Sequence, residues 1–262
     1  PVGAVDGASD PLTASGLHVR HGRVHAVRGV DLALTAGTTT ALMGRNGAGK
    51  SSLLWALQGS GRRSAGQVRT ADGHDPATLR PSQARRHVAL VPQDPGDLLY
   101  LDTVDAECRA ADRAAGVPSG ATAARLEALT TRLDPTGHPR DLSEGQRLML
   151  VLAIQMVAAP PVLLLDEPTR GLDYRAKRHL TRALRSHTAA GGTVLLSSHD
   201  VEFVAECADD VLVLADGEVV AHGAADQVLV ASPTFAPQVA KILHPLPLLT
   251  VGSVQAALTG VS

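Results

Sequence analysis

Residues 44–52 read Gly-Arg-Asn-Gly-Ala-Gly-Lys-Ser-Ser and follow the apolar run Thr40-Ala-Leu-Met43. Gly44, Gly49, Lys50 and Ser51 fit the phosphate-loop pattern G-x-x-x-x-G-K-[ST], set between a strand-like and a helix-like stretch as its mechanism requires. Glycines let backbone N–H groups turn inward around phosphate oxygens, and the following helix presents roughly half a positive charge at its amino end. Lys50 is then expected to reach the β and γ phosphates and Ser51 to ligate magnesium. The expected nucleotide cradle comprises Gly44, Asn46, Gly47, Gly49, Lys50, Ser51 and Ser52.

Two further stretches add chemistry. Residues 162–169, Val-Leu-Leu-Leu-Asp-Glu-Pro-Thr, deliver two adjacent carboxylates at the end of a buried strand. Beside a phosphate loop, Asp166 is placed to hold magnesium and Glu167 to accept a proton from an attacking water. Residues 142–146, Leu-Ser-Glu-Gly-Gln, open a helix, with Ser143 at the cap and Gly145 baring the backbone. That makes a second anion-binding helix end, and one nucleotide does not need two from a single chain. The economical expectation is that this end meets a γ phosphate held by another chain's loop.

These residues need a scaffold, and the pattern describes one. Loose alternation from Leu17 to Leu34, punctuated by Gly22 and Gly29, predicts short antiparallel strands. Strands are expected at 38–43, 87–93, 162–165, 193–196 and 211–214, and helices at 50–57, 143–158, 174–189 and 201–208. Between Leu101 and Leu133 the spacing is helical, with Leu126, Leu129 and Leu133 on one face. Uncharged strands separated by helices imply a mainly parallel sheet covered on both sides, whose ligands sit at the carboxyl ends of the strands. The fold class is therefore α/β, a P-loop NTPase core with an antiparallel β subdomain and a helical subdomain at about 97–158.

The chain has 262 residues, a net charge of -2, and few aromatic side chains, two Phe, two Tyr and one Trp, so aliphatic packing carries the interior. That charge supports no nucleic-acid partner, and the stripe Arg175, Arg178, Arg182 and Arg185 reads as a solvated helix face. Cys108 and Cys207 form no pair motif and read as ordinary reduced thiols. The apolar stretch 148–165 is divided by Pro160 and Pro161, which favours a buried helix and a strand over a membrane span. Residues 1–14 have a linker-like composition, the main domain is expected over 15–231, and 232–262 forms a C-terminal extension.

Jointly, the order GRNGAGKS, Gln93, LSEGQ, LLLDEP, Gly171-Leu172-Asp173, His199 resembles the nucleotide-binding domain of ATP-binding cassette (ABC) proteins, over residues 17 to about 223. The resemblance implies ATP and Mg2+ as ligands. By it, Gln93 senses magnesium and the attacking water, and His199 contacts the γ phosphate. Glu167, His199 and Gln93 are thus the expected catalytic set, with Ser51, Gln93 and Asp166 around the metal. Ser143, Gly145, Gln146 and Asp173 face the nucleotide from the partner side.

Two positions depart from the family pattern. His21 stands where an aromatic residue stacks on adenine, and Glu144 replaces the commoner Gly. The remaining histidines are given no metal role; His18, His21 and His25 come nearest to a cluster, but on a strand and its turn.

Residues 91–107 and 232–258 resemble the ATPases of energy-coupling factor importers, and "DEPTRGLDYRAK" resembles the second cassette of fused members. The expected partners are a second cassette, separate or fused, a transmembrane coupling protein and a substrate-binding membrane subunit. The expected place of work is the cytoplasmic face of the membrane, as a peripheral subunit. The rival expectation is an ABC ATPase without a transport role, serving the ribosome, repair or cofactor assembly, or an exporter cassette.

Overall fold

The computed structural model describes residues 10–130, 132–231, 235–243, 246 and 248–259. Two sheets organise it. The first has three antiparallel strands, β1 (Leu12–His21), β2 (Val24–Leu34) and β4 (Ala65–Thr70), in the order β2-β1-β4. The second has six: β3 (Thr39–Met43), β5 (Val88–Val91), β6 (Val162–Asp166), β7 (Thr193–Ser197), β8 (Asp210–Ala215) and β9 (Glu218–Ala224). Their order is β5-β6-β7-β3-β8-β9, all neighbours parallel except β8 and β9.

The linker-like reading of residues 1–14 fails for its last positions. Leu12 and Ala14 are buried in β1, where Leu12 pairs with Leu34 on one side and Thr70 on the other. Residues 1–9 lie outside the described residues. The expected short strands of 17–34 are one long hairpin. A register shift between Ala14 and Leu17, around Gly16 at φ +55°, switches the inward side chains from Leu12 and Ala14 to Leu17 and Val19. A bulge of this kind breaks strict alternation, which is why the strand looked fragmentary.

The helices are α1 (Lys50–Gln58), α2 (Pro81–His87), α3 (Val104–Ala115), α4 (Ala121–Leu129), α5 (Glu144–Met156), α6 (Tyr174–Ala189), α7 (Val201–Cys207), α8 (Ala225–Ala231), α9 (Gln238–Leu243) and α10 (Val251–Thr259). Residues 148–165 resolve into most of α5, the diproline turn and β6, and among the described residues no helix is long and apolar enough to cross a membrane. Leu133 is buried but lies beyond the end of α4, so its spacing from Leu129 is not helical.

The core splits along the parallel sheet. In β6, Val162 and Leu164 pack with α1 and the antiparallel sheet, while Leu163 and Leu165 pack with α5, α6 and α7. Every side chain of β6 is therefore buried, as two-sided cover demands. The helical block 97–158 holds α3, α4 and α5, and a buried carboxylate ties it together. Asp112 on α3 accepts from the N–H groups of Gly120 (2.7 Å) and Thr122 (2.8 Å) and from the Thr122 hydroxyl (2.6 Å), so it organises the start of α4.

Candidate nucleotide site

Strand order decides which residues meet. β5, β6, β7 and β3 are successive neighbours and all parallel, so their carboxyl ends share one edge. Gln93 follows β5, Asp166 ends β6, His199 follows β7, and the Gly-rich loop follows β3. These ends border a cavity of about 730 Å³ lined by Asn46, Gly47, Gly49, Lys50, Ser51, Ser52, Gln93, Glu167 and His199, with His21, Val24, Ala26 and Arg170 completing the wall.

The loop geometry needs its glycines. Gly44 (φ +148°) and Gly49 (φ +104°) occupy backbone conformations closed to ordinary residues, and a Cβ on either would collide with backbone, the Leu214 carbonyl for Gly44 and that of Ala26 for Gly49. Lys50, the first residue of α1, folds its side chain back over the loop and donates to the Gly44 carbonyl at 2.9 Å. Its Nζ lies 3.7 Å from Glu167 Oε1.

Glu167 is held more tightly than any sequence rule predicts. It is one of three non-glycine residues at positive φ, at +48°, among the described residues. Its N–H is fixed by both the carbonyl (3.2 Å) and the hydroxyl (2.9 Å) of Ser197. Its second carboxylate oxygen lies 2.6 Å from His199 Nδ1. A buried carboxylate in a sparsely populated conformation, touched by a lysine and a histidine, is a site where strain serves position.

Ser197 was missed by sequence reasoning. Its hydroxyl also donates to Asp166 Oδ1 at 2.6 Å, so one buried serine orients both acids. A polar residue ending an otherwise apolar strand was the available signal. Asp166 is buried at the end of β6 and is not among the residues that line the cavity. Ser51 and Gln93 line the cavity and Asp166 ends the strand beside it; a hydroxyl, an amide oxygen and a carboxylate are the donor types that suit Mg2+. The open, glycine-lined cradle around Lys50 fits a phosphate chain. His21 ends β1 at the cavity, with its Nε2 2.9 Å from Ser52 Oγ.

The remaining candidates stand apart from this cavity. Ser143 caps α5 in a reciprocal capping box with Gln146: its hydroxyl accepts from the Gln146 N–H at 3.3 Å, and the Gln146 side chain accepts from the Ser143 N–H at 2.9 Å. Asp173 caps α6 through the Ala176 N–H at 2.7 Å. A Cβ on Gly145 would approach the Ala176 side chain to 2.7 Å, so small residues bring the starts of α5 and α6 together. A cleft of about 340 Å³ connects Gln93 and Glu167 to Glu144 and Gly171 beside that second helix end.

Both cysteines are buried free thiols, and desolvation pushes Cys108 up to about 11 and Cys207 higher still. The arginine stripe divides: Arg185 donates to the Glu206 carbonyl at 2.8 Å, whereas Arg175 and Arg182 border a cleft with Arg125 and His179.

The family model described as "ABC transporter" matches residues 27–170. A Streptomyces coelicolor protein named as an ABC transporter ATP-binding protein is 55% identical over 93% of this chain, and the chain spans only 43% of that relative's own length. The cobalt import ATP-binding protein CbiO of Rhodobacter capsulatus is 39% identical over 82% of this chain and 79% of its own. Among solved structures, cbiO1 from Clostridium perfringens, part of the ABC transporter complex cbiONQ, superposes with a TM-score of 0.73 at 24% identity, covering 90% of this chain and 96% of its own. The sequence order of motifs, the cavity that the phosphate loop, Gln93, Glu167 and His199 line, and these matches agree that the chain belongs to the ABC transporter family, as an ATP-binding cassette of the ATPase class.

Proposed function

We propose that this cassette is the ATP-hydrolysing motor of an importer of the energy-coupling factor type, taking up a micronutrient such as a vitamin or a metal ion. The observation that carries the ATPase chemistry is the meeting of Lys50, Gln93, Glu167 and His199 on one cavity. Support for import comes from the CbiO relative, a cobalt import protein by name. Lys50 and the loop N–H groups bind the phosphates. Ser51, Gln93 and Asp166 would hold Mg2+, which would supply positive charge to offset that of the phosphates. Glu167 takes the proton from the attacking water, and His199 holds Glu167 on one side while offering its ring to the γ phosphate.

Ser143, Gly145, Gln146 and Asp173 complete the site of a second cassette, separate or fused, which explains a helix end equipped for anions outside its own cavity. Closure is passed to a transmembrane coupling protein, itself joined to a substrate-binding membrane subunit, at the cytoplasmic face. The docking surface is the loop before α3. There buried Glu107 accepts from the N–H groups of Tyr100 and Leu101, the latter at 2.6 Å, and Tyr100 stands 78% exposed.

The test is to isolate the natural full-length protein from mild-detergent extracts and identify what copurifies by mass spectrometry. Stoichiometric integral membrane proteins are the expected result. Ribosomal proteins, DNA or a soluble assembly factor in their place would overturn the transport assignment and leave the ATPase chemistry standing.

A further inference from the structure

The turn after β4 and the last residue of α2 bring together three side chains that the nucleotide chemistry does not use. Asp72 Oδ2 lies 3.3 Å from His87 Nδ1 and 3.7 Å from His74 Nε2, and all three ligand-type atoms fall within 4.8 Å of one another. The two imidazoles meet edge to face, 5.4 Å between centroids at 62°. The His87 contact falls close to hydrogen-bond length, whereas 3.7 Å is beyond it for His74. Bonds of about 2.0–2.2 Å at tetrahedral angles separate ligand atoms by roughly 3.4 Å, the spacing approached around Asp72 Oδ2.

The carboxylate is also set for the task. Its other oxygen accepts from the hydroxyl of buried Thr70 at 2.5 Å, and that hydroxyl oxygen accepts from the His74 N–H at 3.1 Å. The Thr70 N–H donates to the His74 carbonyl at 2.9 Å and the Gly73 N–H to the Thr70 carbonyl at 2.8 Å, closing the turn. Outer-shell bonds of this kind fix a ligand's orientation before the ion arrives.

We propose that Asp72, His74 and His87 form a three-ligand site for a borderline divalent transition cation of the zinc, cobalt or nickel class, which staples the turn after β4 to the end of α2. Two imidazoles and one carboxylate select this class over Mg2+ or Ca2+, which prefer oxygen throughout. The fourth position is open to water. None of the three residues lines the nucleotide cavity, so the site is separate from the Mg2+ of hydrolysis. The sequence reading gave these histidines no metal role, since His74 and His87 stand far apart in the chain and only the fold joins them.

The experiment uses the untagged chain, stripped with chelator and kept nucleotide-free. Titration with Co2+ should develop the intense visible band of a four-coordinate ion at one equivalent. Saturating Zn2+ should raise Tm by about 5 °C when present at roughly 100-fold over Kd. The double variant Asp72→Asn/His87→Gln should lose the band and the Tm shift while its far-UV circular dichroism and ATP affinity stay unchanged. His74→Ala, at an exposed position, should weaken Zn2+ binding at least tenfold. Equal Co2+ spectra and Zn2+ affinities in the parent chain and the double variant, or no band in the parent chain, would overturn the proposal.

Discussion

His21 stands where the family resemblance leads to the expectation of a base-stacking aromatic residue, and the structure gives that position a geometry. The ring sits at the nucleotide cavity but is tethered to Ser52 through Nε2, so it offers a smaller and partly engaged face to a base. Aromatic stacking on a base contributes on the order of 1–3 kcal/mol. His21→Tyr is expected to tighten ATP binding about fivefold, with little change in turnover at saturating ATP, as read by fluorescent-nucleotide titration. An unchanged or weaker affinity would remove His21 from the base-binding wall. The site was legible here to different depths: Lys50, Gln93, Glu167 and His199 were expected from motif order and do share a cavity. Ser197 was not expected, because nothing in a strand's sequence says which neighbouring strand's acids its last hydroxyl will meet.

Among the elements, α3 and α4 depend on a device that periodicity cannot reveal. Asp112 is buried between them, and its three bonds supply the cap that α4 otherwise lacks, since Gly120 at its start offers no side chain. Burial raises its carboxyl, but the hydrogen bonds from Thr122 and Gly120 more than offset this and hold it below the ordinary value of 3.8. The folded state thus favours ionised Asp112. Its stabilisation is complete above that value and is lost as pH falls through the lower native one. Asp112→Ala is expected to cost about 2–4 kcal/mol of stability near neutral pH, by chemical denaturation, with the difference from the parent chain shrinking below pH 4. Helix-rich and strand-rich stretches were readable because apolar spacing is local. The edge strands β4 and β9 were not, since each is mostly exposed and takes its conformation from its partner, β1 and β8 respectively.

At the scale of the whole molecule, the starts of α1 and α5 border different cavities, and only α1 opens on the phosphate loop. Ser143→Arg in the intact complex should therefore leave ATP binding at this chain's Lys50 loop unchanged while lowering turnover at least tenfold; loss of the capping bond should cost roughly 1 kcal/mol, checked by Tm. Impaired ATP binding at its own loop would argue that Ser143 serves this chain's cavity. The proposed pairing of cassettes starts from residues 142–146, because a second such helix end has no use for one nucleotide. That this end does not line the first cavity had to be seen in the fold. The proposed ATPase chemistry depends most on Glu167 acting as the general base. Its decisive measurement is ATP turnover beside ATP affinity for Glu167→Gln in the purified natural complex. Binding should be retained and turnover reduced by roughly 100-fold or more. Near-normal turnover with intact binding would contradict it and send the search for the base elsewhere.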